Sequence, residues 1–234
     1  MPEPSPRTAL PDVPYEDVAG FTRKLIHDVR NGLNALDLQL ASMLDMASDT
    51  SSPLLEDVTL ARRLLGDEAR RLGQLSAQMR GGAADPIAYG ANDLVEDLRE
   101  RIERSFKDLT PPISWTVSVG SEPVPVDFEV LSGAVAELVR NAMQFRTSGG
   151  QIEGSAAIEG GEFIFELRHP QKELPGNPAT WGEAPFRSTR RGAYGLGLFS
   201  ARRALAALGG KLEIRHDVVS GELRSRITLP LTTP

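Results

Sequence analysis

Cysteine is absent from the 234-residue sequence, which excludes disulfides, thiolate metal sites and a cysteine nucleophile. Only three histidines occur, His27, His169 and His216, too few to point to a zinc site. No apolar run approaches the roughly 18 residues that a membrane-spanning helix needs. The stretch Met1 to Val13 lacks the basic start and apolar centre of a secretion signal, so a cytoplasmic location without a membrane span is expected. A basic excess is lacking too. Twenty-six basic against 32 acidic side chains give a net charge of -6, which offers nucleic-acid binding no support. Only 26 residues precede His27, too few for a sensor domain, so the input is expected from another molecule.

What is present is a chain that is 40% hydrophobic, enough to fold around a core. From Tyr15 to Met46, apolar residues recur at Val18, Phe21, Leu25, Val29, Leu33, Leu36, Leu40 and Met43, in the steps of three and four that mark one helical face. The breaker Ser48-Asp49-Thr50-Ser51-Ser52-Pro53 follows. A second helix carries Val58, Ala61, Leu65, Leu72, Leu75 and Met79, with Glu68 in one apolar slot. The short connection predicts an antiparallel hairpin. One hairpin buries one stripe per helix; two hairpins paired in a homodimer make a four-helix bundle. Leu25, Leu33, Leu36, Leu65 and Leu72 are expected to line it.

Gly81-Gly82-Ala83-Ala84 predicts a linker, after which the pattern becomes mixed. Helices are expected over Asn92–Lys107, Phe128–Phe145 and Leu196–Leu208. Strands are expected over Ile113–Val119, Gln151–Ile158, Glu162–Arg168, Lys211–Arg215 and Leu223–Leu229, with a hairpin at Gly160-Gly161. Pro170 to Tyr194 reads as a long loop. The fold class is therefore α+β. A tail is expected over 1–14, a helical hairpin over 15–80, a linker over 81–90 and an α/β sandwich over 91–234.

Three constellations carry chemistry. In His27-Asp28-Val29-Arg30-Asn31-Gly32-Leu33, Asp28 can bond one imidazole nitrogen and leave the other as a nucleophile. Asn31, four residues on, shares the helical face of His27. The second is Glu137-Leu138-Val139-Arg140-Asn141-Ala142, within an apolar helix. The third is Pro185-Phe186-Arg187-Ser188-Thr189-Arg190-Arg191-Gly192-Ala193-Tyr194-Gly195-Leu196-Gly197-Leu198. Glycines just before a helix let backbone N–H groups approach phosphate, and the arginines add cationic donors. An exposed histidine, a core helix and a tight turn are the plain structural alternatives.

In this order, with Gly209-Gly210 following, the three stretches resemble the H-box, N-box, and F- and G2-boxes of two-component histidine kinases, over roughly residues 20 to 230. The resemblance implies a dimerisation and histidine phosphotransfer hairpin followed by an ATPase-type α/β sandwich. It implies that His27 is phosphorylated from ATP, with Asp28 assisting as base. The group then passes to an aspartate on the receiver domain of a response regulator. Asn31 positions water in regulator dephosphorylation, Asn141 holds Mg²⁺ through its amide oxygen, and Glu137 sits near the γ-phosphate. Arg187, Ser188, Thr189, Arg190, Gly195, Leu196, Gly197 and Leu198 flank the nucleotide. Gly32 replaces the proline usual after the H-box asparagine, and Gln144 replaces a frequent cationic or aromatic residue.

One family feature is missing. The G1-box, Asp-x-Gly-x-Gly, reads adenine through its aspartate. Here His169-Pro170-Gln171-Lys172-Glu173 stands in its place, without the aspartate or either glycine. Losing a charged acceptor opposite a buried donor costs roughly 1–3 kcal/mol, about ten- to a hundredfold in affinity. An ATP-dependent histidine kinase is the leading expectation. A histidine phosphotransferase with a nucleotide-free C-terminal domain is the alternative, and a pseudokinase scaffold that binds a regulator is the third. His216 is expected to be structural.

Overall fold

A computed structural model describes residues 14–46, 53–79, 84–171, 174, 176–187 and 195–231. The chain divides into two compact units, Met1–Gly81 and Gly82–Pro234. The tail expected over 1–14 lies outside the described residues, apart from Pro14.

The first unit is a pair of helices, α1 (Tyr15–Met46) and α2 (Pro53–Gln78). Proline opens α2, where its missing N–H has no helical partner to lose. Ala19 and Ile26 are buried, Leu33 and Leu40 half-buried, one heptad apart throughout. On α2, Val58 is buried, and Ala61, Leu65, Leu72 and Leu75 are half-buried. Asp37 accepts from Arg62 at 2.8 Å across the pair. That contact lowers the Asp37 pKa, through its hydrogen bond first and its charge second. Among the described residues, a second apolar stripe on α1 stays open. Leu25 is 51% exposed and Leu36 48%, and Val29 and Met43 are exposed beside them. Leu36, Leu40, Met43, Ala61, Leu64 and Leu65 line an open apolar groove between the helices. Helix α1 runs unbroken through Gly32.

The second unit is an α/β sandwich. Its sheet has the order β2-β4-β5-β7-β6, with β2 (Ser114–Ser118), β4 (Glu153–Glu159), β5 (Glu162–Pro170), β6 (Lys211–Asp217) and β7 (Glu222–Pro230). Only β2 and β4 pair in parallel. Helices α3 (Ala91–Ser105), α4 (Phe128–Phe145) and α5 (Gly197–Ala207) pack with the sheet around one core. Helix α3 buries Ala91, Leu94, Val95, Leu98 and Ile102, the spacing of one helical face. Helix α4 begins at Asp127, whose carboxylate accepts from the N–H groups of Glu129 and Val130 at 3.1 and 3.2 Å. Along β5, Phe163, Phe165, Leu167 and His169 alternate into the core.

The linker expected over 81–90 needs correction. Ile87–Gly90 forms β1, antiparallel to β3 (Pro123–Val126) in a separate two-stranded sheet. Two prolines in β3 and a glycine in β1 conceal both strands from propensity. Tertiary contacts hold them. Val124 and Val126 are fully buried, and Tyr89 donates to Asp97 and stacks on Phe128. Among the described residues, no helix is long and apolar enough to cross a membrane.

Candidate functional site

In the first unit, His27 lies on the exposed side of α1, its side chain 73% accessible. Two partners compete for one ring nitrogen. Asp28 Oδ1 lies 3.3 Å from Nδ1, and Asn31 Nδ2 lies 3.4 Å from the same atom. The two bonds require opposite tautomers. Asp28 accepts only if Nδ1 carries the proton, which leaves a lone pair on Nε2; Asn31 donates only if Nδ1 carries the lone pair. The Asp28-bonded tautomer presents Nε2 to solvent as a nucleophile. The Asn31-bonded one withdraws it. Both distances are long for such bonds, so neither tautomer is locked.

In the second unit, Glu137 and Asn141 occupy successive turns of α4, both half-buried. Arg140 holds Glu137 Oε1 at 2.5 Å and lies 5.9 Å from the centre of the Phe106 ring. At the phosphate-type loop, Gly195 has φ 66°, and a Cβ there would meet the backbone of Arg187 at 2.6 Å. Only glycine allows that approach. It sets Arg187 against the start of α5. Leu196 is the N-cap of α5 and offers no capping side chain, so the cap position leaves the first-turn N–H groups to other acceptors. Leu196 itself is buried, and Gly197 and Leu198 are half-buried. Ser188, Thr189, Arg190 and Arg191 lie outside the described residues.

The residue expected at the base-reading position is His169. His169 is the penultimate residue of β5, 4% exposed, and its Nδ1 has no hydrogen-bond partner among the described residues. It is a strand residue on the core face rather than a loop residue. Burial pushes its pKa down to about 4; the Pro170 carbonyl opposes this and the Arg146 charge adds to it. The ring is therefore neutral at physiological pH. Gln171, also buried, is fixed through its backbone: its N–H donates to Gly221 O at 2.8 Å, and His216 Nε2 lies 2.9 Å from its carbonyl. This gives His216 its place, on β6 and in contact with the residue that follows β5.

The groups on the phosphate side have the chemistry that a Mg·ATP site would use. A glycine-shaped turn, a helix start and a nearby arginine suit phosphates, and one amide oxygen suits a metal that takes its remaining ligands from phosphate and water. Among the described residues no group of three or more acidic, histidine or cysteine side chains gathers around a metal position. On the side expected to read adenine, His169 offers a neutral imidazole. Arg140 and Gln171 stand inside stretches singled out in the sequence, but their contacts depend on packing and strand register rather than on the motif.

Comparisons with known proteins bear on the fold. Residues 127–233 match the family profile of histidine kinase-, DNA gyrase B-, and HSP90-like ATPases. Full-length ShkA, solved in complex with AMPPNP, is similar with TM-score 0.71 and 20% identity, over 92% of this chain and 46% of that one. This chain thus spans less than half of ShkA. The nucleotide-free catalytic domain of histidine kinase ThkA is similar with TM-score 0.53 and 17% identity, over 63% of this chain and 97% of that one. No curated protein matches in sequence. Residues 127–233 are therefore similar to the ATPase domains of the histidine kinase-, DNA gyrase B- and HSP90-like family, and the chain has the fold of a histidine kinase transmitter core.

Proposed function

We propose that the chain is a histidine protein kinase of two-component signal transduction. Nε2 of His27 attacks the γ-phosphorus of ATP, the bond to the β-γ bridging oxygen breaks, and ADP leaves. An aspartate carboxylate on the receiver domain of a response regulator then attacks that phosphorus, the P–N bond breaks, and His27 is regenerated. Asp28 orients the imidazole. Asn141 holds Mg²⁺, Glu137 faces the γ-phosphate, and Arg187 with the Gly195–Leu198 turn steadies the phosphates, largely through charge and position. Asn31 serves the reverse need by orienting water toward the regulator's phospho-aspartate. The open stripe of Leu25 and Leu36 is covered by a second copy of the chain.

The observation that carries this reading is the exposed His27 ring with a carboxylate on Nδ1. A phosphotransferase reading is favoured by the base side alone, where buried His169 and Gln171 replace the acidic reader and a glycine. It keeps His27 and the regulator and takes the phosphoryl group from another phospho-aspartate.

Calorimetric titration of the full chain with Mg·ATP and Mg·GTP separates the two. The kinase reading expects weak binding with little preference between the bases, and loss of ATP-dependent labelling in Asn141→Asp. No heat at millimolar nucleotide, with His27 still labelled by a phosphorylated regulator, would establish the phosphotransferase instead.

A further inference from the structure

Arg202 of α5 is a half-buried cation held by three main-chain carbonyls. Its Nε donates to Trp181 O at 2.7 Å, one terminal nitrogen to Leu212 O at 2.7 Å, and the other to Ala179 O at 3.0 Å. Burial lowers its pKa, and Glu183 opposes this through charge alone. A guanidinium that has given up part of its water gains from each donor met by a protein acceptor. Three carbonyls meet three of its five donors. They belong to the single turn Pro178–Thr180, to the residue that follows it, and to β6.

Two glycines continue the same seam. Gly182, with φ 76°, lies so close to α5 that a Cβ would meet the Leu198 carbonyl carbon at 2.7 Å. Gly195 bears on Arg187 in the same manner. The run from Ala179 to Arg187 therefore meets α5 through Arg202 and at Leu198, and meets Gly195 just ahead of that helix. Of these contacts, only those of Arg202 are hydrogen bonds from a side chain.

We propose that Arg202 is a positioning residue for phosphate binding: by clamping Ala179 and Trp181 to α5, it sets the backbone of Arg187 against Gly195 and so fixes the cation at the phosphate turn. Arg202 itself touches no phosphate in this account. The inference rests on the nucleotide reading above only for its consequence; the clamp stands on its own geometry. Lysine can replace part of it, since a point charge on a flexible stem reaches one or two carbonyls but not three in a plane.

The test compares the full wild-type chain with Arg202→Met and Arg202→Lys. Hydrogen exchange without nucleotide is read first. In Arg202→Met the amides of Thr180, Trp181 and Glu183 should exchange at least about tenfold faster, while β4 and β5 keep their rates. In ATP-dependent labelling of His27, KM should rise about tenfold with kcat within about threefold, the pattern of lost uniform binding. Arg202→Lys should fall between, and labelling of His27 by a phosphorylated receiver domain should be unchanged in both variants. Unchanged exchange in Arg202→Met overturns the clamp. Faster exchange with an unchanged KM overturns the positioning role. If Arg202→Met fails to fold, Arg202→Lys decides, and wild-type KM there refutes the proposal. If the wild type takes no nucleotide, the kinase reading falls and the positioning role with it, while exchange still decides whether the clamp exists.

Discussion

Acidification should weaken the second unit through His169 in a window set by its burial. The imidazole titrates at about 4 in the folded chain against an ordinary 6.5. The folded value is depressed, so above pH 6.5 both states are neutral and the contribution is complete. Between 6.5 and about 4 the unfolded chain takes up a proton that the folded one refuses, and stability falls. Each decade of proton affinity is worth about 1.4 kcal/mol. The gap amounts to about 3 kcal/mol once both states are protonated, and to about 2.5 kcal/mol at pH 4.5. Both tryptophans, Trp115 and Trp181, lie in this unit, so their fluorescence in guanidinium unfolding reports it. Carboxylates titrate in the same range, and the comparison with His169→Phe subtracts them. The wild type should lose about 2.5 kcal/mol more than the variant between pH 7.5 and 4.5. Parallel pH profiles for the two proteins would refute the reasoning.

The Asn31 amide competes with Asp28 for Nδ1 of His27 and reaches solvent one turn away. Asn31→Ala should lengthen the lifetime of the regulator's phospho-aspartate several-fold while phosphotransfer through His27 persists; equal lifetimes would remove Asn31 from dephosphorylation. The open apolar stripe should be covered by a second copy. Light scattering at micromolar concentration should give a dimer mass, and Leu36→Asp should give a monomer. A monomeric wild type would leave the stripe unexplained.

Helix α4 was legible to the residue, because its apolar period and the Asp127 cap agree. The β4–β5 hairpin was legible for a similar reason: Gly160 and Gly161 both adopt positive φ at its turn. The sheet of β1 and β3 was not, since its stability comes from burial of Val124 and Val126 rather than from local preference. Within the hairpin unit, periodicity gave the helices but not which apolar stripe faces the partner helix. Ile26 does so and Leu25 does not, and a shift of one residue turns a helix face by about 100°. Motifs singled out His27, Glu137 and Asn141, which lie on α1 and α4. Spacing could not show that His169 is a core residue, because the strand beneath it extends to Pro170.

The most direct test of the account is acid-labile phosphate on His27. Wild-type chain incubated with Mg·ATP, and separately with a phosphorylated receiver domain, should acquire label that is lost in acid and kept in base. His27→Gln should acquire none from either donor while His169→Gln and His216→Gln keep an acceptor. Label retained in His27→Gln, or no label in the wild type from either donor, would contradict the central claim.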